Sequence, residues 1–143
     1  MSQDGKVWTQ AHVFLDKDKN PIPITTMAVF SQQLYVGTGQ GLYCDGGTAG
    51  TLAGSSANVA VTMSLVTVDP SILASAFAVN DLYVGTNGTN ATLYAVGNTY
   101  NIYELTSGTW TFETISEAVA IQRFTVVNGT IEVAMATNNV FVE

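Results

Sequence analysis

The chain has 143 residues with 47% apolar and only 10% charged side chains, which suits one domain or a small repeat array with a sizeable core and a surface dressed in Thr, Ser, Asn, Gln and Gly. Four Lys+Arg against 11 Asp+Glu (net charge −7) cannot build a basic patch, so phosphate-driven nucleic-acid binding and adsorption to anionic membranes are excluded. The single cysteine, Cys44, allows no intrachain disulfide, and no apolar run is long enough for a membrane-spanning helix.

In chain order, Met1 to Lys6 lacks the basic and then apolar run of a secretion leader, so synthesis in the cytoplasm is expected. Asp4-Gly5-Lys6-Val7-Trp8-Thr9 reads as a turn and a strand. The only histidine, His12, is expected on the same N-terminal arm; alone it makes neither a multi-histidine zinc site nor a triad. Asp16-Lys17-Asp18-Lys19-Asn20 opens like a calcium loop, but Pro21 stands where Gly is needed and Met27 where Glu is needed, so a solvated turn is expected. Thr25 to Phe30 reads as a strand, Ser31-Gln32-Gln33 as a turn and Leu34 to Thr38 as the returning strand. Gly41-Leu42-Tyr43-Cys44 begins a third strand, with Cys44 buried and inert. A loose Gly/Ser/Ala tract runs from Asp45 to Ser56, and the β-rich stretch Asn58 to Val68 closes the unit before Asp69-Pro70.

The next unit starts with a small apolar strand, Ala74 to Val79, a two-residue turn at Asn80-Asp81 and a strand from Leu82 to Thr86. The Gly/Asn-rich stretch Asn87 to Asn90 breaks it. Asn101 to Leu105 is a third strand, Thr106-Ser107-Gly108 a turn and Thr109 to Ile115 a fourth strand, with Trp110 and Phe112 on one face and Thr111 and Glu113 on the other. The last unit has Arg123 to Val127, the hairpin signal Asn128-Gly129, Ile131 to Ala136 and a third strand within Asn138 to Glu143.

These units repeat. Leu34-Tyr35-Val36-Gly37-Thr38 and Leu82-Tyr83-Val84-Gly85-Thr86 match at five consecutive positions about 48 residues apart, and Ile131 to Met135 is a worn third copy. Short strands at that period predict an all-β protein, a β-propeller with three four-stranded blades per chain. The expected layout is one half-propeller domain, 1–143. Within it, 1–23 are an exchanged fourth strand and connector, 24–71 blade 1, 72–119 blade 2 and 120–143 an incomplete blade 3. Asn139-Val140-Phe141 matches Asn101-Ile102-Tyr103, and Asp4 to Thr9 matches the turn and fourth strand ending in Trp110-Thr111, so the two chain ends read as halves of one outer hairpin. Three blades cannot close on themselves and show no polar cap. Two chains supply six, so a homodimeric six-bladed ring with N-terminal strand exchange is expected.

The order of apolar strand, turn, Leu-Tyr-Val-Gly-Thr, loop, aromatic strand, turn and Trp-Thr resembles the blades of kelch-like and sialidase-like propellers. The kelch Gly-Gly position holds Gly37-Thr38, Gly85-Thr86 and Ala134-Met135. The sialidase Ser-x-Asp-x-Gly-x-Thr-Trp turn is echoed by Ser107-Gly108-Thr109-Trp110 and by Ser2 to Trp8, with shorter spacing. Neither family's activity is carried over, because a fold does not fix a function.

Candidate ligand-binding residues lie on the longest inter-strand segments, Gly39 to Ser56 and Asn87 to Tyr100. They are Tyr43, Asp45, Asn87, Asn90, Tyr94 and Tyr100, joined by Arg123 at the start of an inner strand. Aromatic rings beside amides and carboxylates suit sugars; the competing expectation is that the tyrosines pack between blades and the polar groups serve turns. Arg123 would pair with an anion or carboxylate in the channel, or with a loop acid such as Glu117. Trp8 and Trp110 are expected to anchor the outer hairpins, and Asn87-Gly88-Thr89, Asn90-Ala91-Thr92 and Asn128-Gly129-Thr130 are read as turns rather than glycosylation sites. No catalytic residue, metal site or cofactor is expected. The expectation is a non-enzymatic structural or attachment module, a bacteriophage head or tail component, with itself, other virion proteins or glycans as partners. A soluble oligomeric lectin is the alternative. A sialidase-like hydrolase would need an arginine cluster that four Lys+Arg cannot supply within one chain.

Overall fold

The computed structural model describes residues 13–45, 63–66 and 77–143. The expected strand at Asp4 to Thr9, Trp8 and His12, most of the Asp45 to Ser56 tract and the first half of Ala74 to Val79 lie outside them. Among the described residues there is no helix. The strands form three antiparallel sheets. The first holds β1 (Ile24–Phe30), β2 (Gln33–Thr38), β3 (Gly41–Cys44) and β4 (Ser64–Leu65) in that order. The second holds β5 (Val79–Asn87), β6 (Asn90–Gly97), β7 (Asn101–Thr106) and β8 (Thr109–Thr114). The third has three strands, β9 (Arg123–Val127), β10 (Ile131–Met135) and β11 (Val140–Val142), with β10 in the middle.

Turn chemistry sets the hairpins. Ser31 and Gln32 both take positive φ (48° and 63°) between β1 and β2, as do Ser107 and Gly108 between β7 and β8 and Asn128 and Gly129 between β9 and β10. Such turns match the right-handed twist of the strands they join.

The sheets stack face to face, and period-2 alternation divides each strand between two layers of core. Phe30, Tyr35 and Leu42 of the first sheet meet Phe77, Val79, Leu82, Leu93, Ala95, Tyr103 and Leu105 of the second. Tyr94, Val96 and Ile102, on the opposite face of the second sheet, meet Ile121, Phe124 and Ala134 of the third. The leading strands β1, β5 and β9 run beside one another at the same side of the stack. The Thr25 hydroxyl donates to Val79 O at 2.6 Å, and Tyr83 Oη donates to Val126 O at 3.4 Å.

The all-β, antiparallel expectation holds, but the second unit is corrected. Asn80-Asp81 is not a hairpin turn; it lies inside β5 at a shift of register between Val79 and Asp81. Its polar side chains tie sheets together instead. Asp81 Oδ1 accepts Leu82 N–H and Oδ2 accepts Phe124 N–H, both at 3.1 Å, while Asn80 Nδ2 donates to Ile121 O at 2.8 Å. Asn87 to Asn90 is the true turn, with Gly88 at φ 61°, and β6 occupies a segment expected to be loop. The two Leu-Tyr-Val-Gly-Thr segments are therefore not equivalent: one is the second strand of its sheet, the other sits in the leading strand. The equivalent leading strands begin at Ile24, Val79 and Arg123, at unequal spacing.

A second correction concerns capping. Phe14 and Ile22 are buried with Val36 on the outer face of the first sheet, beside Leu34, Tyr43 and Met63, so part of that face is covered by the chain's own connector. Asp16 closes the turn in this connector: its Oδ1 accepts the N–H groups of Asp18 and Asn20 at 2.8 Å, which holds its carboxyl below the usual range. Cys44 is half-buried rather than enclosed.

Candidate functional site

The residues expected to bind ligand are scattered. Tyr43 on β3 is half-buried, edge-on to Phe14 with centroids 4.8 Å apart. Asp45 follows it, buried, with its backbone N–H on Leu34 O. Tyr94 on β6 is fully buried between the second and third sheets, its ring 4.6 Å from that of Phe124. Asn90 opens β6 and Tyr100 ends the connection from β6 to β7; both are exposed. Arg123 donates from one guanidinium nitrogen to Asn80 O (3.1 Å) and Gln122 O (2.9 Å); among the described residues Glu117 instead accepts from Asn139 at 3.1 Å. Only Asn87 and Tyr94 border a common feature, and that feature is a set of glutamates outside the expected set.

Alternation places Ile102 and Glu104 of β7 on the face of the second sheet that looks at the third, opposite Tyr103 and Leu105. Glu113, paired with Ile102 across β7 and β8, shares that face. Glu132 on β10 shares the face of Ala134, which points back at them. One carboxylate oxygen from each of Glu104, Glu113 and Glu132 lies within 4.8 Å of the others. Glu104 is 4% exposed; its Oε2 accepts Asn87 Nδ2–H at 3.1 Å while Oε1 has no partner, and Glu132 Oε2 also has none. A cleft of about 320 Å³ opens beside them, lined by Glu113, Glu132, Glu143, Ile115 and Phe141, room for several waters or a hydrated ion.

Burial and mutual repulsion dominate the electrostatics. Loss of solvent, a hydrogen bond that the protonated Glu113 donates to Glu143 and the nearby charges of Glu143, Glu104 and Glu132 push the Glu113 carboxyl up to about 7. Burial, then the charge of Glu104, raises Glu132, partly offset by the Tyr94 hydroxyl. Burial, then Glu132 and Glu104, pushes the Tyr94 phenol well above its ordinary range. The group can hold protons or a cation.

A signal for these residues exists in the sequence: Glu104 interrupts the apolar run Ile102-Tyr103-Glu104-Leu105 on the face of Ile102, and Glu132 interrupts Ile131 to Ala134 in the same way. That the two strands face each other was not legible. No protein-family model, curated protein or solved structure matches the chain.

Proposed function

We propose that this chain is a non-enzymatic structural or attachment module, half of a six-bladed propeller that closes as a homodimer. The observation that carries the reading is a half-built junction at each end of the stack. Each leading strand follows a buried apolar residue two positions before it: Ile22 before β1, Phe77 before β5 and Ile121 before β9. Phe77 and Ile121 pack into the layer shared with the preceding sheet. Ile22 packs into a layer with no preceding sheet among the described residues. Beside it Met27 and Val29 of β1 are 69% and 63% exposed.

The third sheet offers the complementary surface. Phe124, Ala134 and Phe141 face inward, so alternation turns Val127, Val133, Met135, Val140 and Val142 to the other side, where Val140 and Val142 are 62% and 66% exposed. An exposed apolar patch of this kind, bordered by Arg123 and Thr125 of β9, calls for a partner. Placing a second chain's first sheet there repeats the junctions already present within the chain, and a twofold axis closes the ring with two such contacts. The three-stranded third sheet leaves β11 as an edge, onto which the partner's N-terminal strand would add.

Low charge and a side-by-side set of leading strands support a scaffold. The virion setting rests on composition and is tested by the neighbouring genes, where capsid or tail genes are expected. Charged substitutions test the ring: Met27→Glu or Val142→Lys should convert a dimer to a folded monomer. A dimer that survives both would overturn the reading. The lectin alternative gains no common cleft from its candidate residues, and binding on a glycan array would restore it.

A further inference from the structure

We propose that Glu104, Glu113 and Glu132 bind one calcium ion per chain at the junction of the second and third sheets. Glu104 is almost wholly buried, is aimed into the cluster and leaves Oε1 without a partner. An ionised carboxylate so placed carries a desolvation cost that a single amide donor from Asn87 does not offset. Glu132 Oε2 is a second buried acceptor with no donor. Two buried acceptors without a donor, on residues from different sheets that both lie close to a third carboxylate, are what a cation would satisfy in one step.

The donor set is oxygen only, which selects a hard cation over zinc or copper. One donor oxygen from each residue lies within 4.8 Å of the other two. Calcium accepts irregular shells of several carboxylates, whereas magnesium demands a near-ideal octahedron and keeps most of its waters, so calcium suits this group better. The cleft lined by Glu113, Glu132 and Glu143 gives an entry path and room for water to complete the shell. The bound ion would join β7, β8 and β10, and so clamp the third sheet to the second. The inference does not depend on dimer closure, since every ligand comes from one chain.

The test uses the full chain stripped with a chelator. Calcium chloride titrated by calorimetry should give saturable binding at one ion per chain. At a hundredfold excess over Kd it should raise the melting temperature by roughly 8–13 °C. Magnesium should bind at least tenfold more weakly. Glu104→Gln, and separately Glu132→Gln at a less buried position in case the first variant misfolds, should each weaken calcium binding at least tenfold while the chelated proteins still melt cooperatively. No saturable binding, equal affinity for magnesium, or calcium binding unchanged in a folded variant would each overturn the proposal.

Discussion

Tyr94→Ala removes the largest fully buried side chain among the described residues, at the centre of the layer between the second and third sheets. The ring lies 4.6 Å from Phe124 and 6.3 Å from Tyr83, so truncation loses its burial and both ring pairs. Truncating an enclosed aromatic costs about 3–5 kcal/mol. The hydroxyl donates to Thr86 O at 3.4 Å, long for such a bond, and interacts with the Glu132 carboxylate, so Tyr94→Phe should cost about 1 kcal/mol. At roughly 3–5 °C per kcal/mol for a chain of this length, the Ala variant should melt about 9–25 °C lower and the Phe variant within about 5 °C of the parent. Thermal unfolding followed by circular dichroism reads both. An Ala variant melting within about 3 °C of the parent would mean that the two sheets do not pack through this ring.

Gly37→Ala should destabilise by about 1–3 kcal/mol, because an added Cβ would stand 2.6 Å from Val79 Cγ1 and 2.7 Å from Thr26 Cγ2; Gly39→Ala, with open space around it, should not destabilise, and urea titration compares them. Asp81→Ala removes the acceptor for Phe124 N–H and should cost about 1–3 kcal/mol, whereas loss below about 0.5 kcal/mol would deny the bulge its bridging role. In chelated buffer, stability should be highest at acid pH. Glu113 and Glu132 titrate above their unfolded values, so the folded state binds more protons between about 4.5 and 7 and stability falls as pH rises through that window. Melting scans from pH 4.5 to 8 should show this decline, and Glu113→Gln should flatten it.

The hairpins were legible because their signals are local. Ser107-Gly108 and Asn128-Gly129 adopt the positive φ that their residue types tolerate, and the alternation that sets Trp110 and Phe112 against Thr111 and Glu113 is that of β8. Asn80-Asp81 misled because a polar pair that ends a strand and one that bridges two sheets look alike; their partners, Ile121 and Phe124, lie some forty residues away. The five-residue match misled for a related reason. Gly37 makes room for Val79 across the sheets, whereas a Cβ at Gly85 would meet the ring of Tyr83, so one glycine serves interlayer packing and the other its own strand. β6 was hidden by a polar start, Asn90-Ala91-Thr92, ahead of the apolar run Leu93 to Val96. The carboxylate cluster depends on two strands from different sheets, a relation that periodicity within either strand does not contain.

The central claim is that the three-sheet stack is completed by a second copy. Static light scattering on the intact chain at low micromolar concentration measures this without substitution. A mass of about 30 kDa, twice the 15.1 kDa chain, independent of dilution through the micromolar range, is the predicted result. A folded, monodisperse species at 15.1 kDa would contradict it.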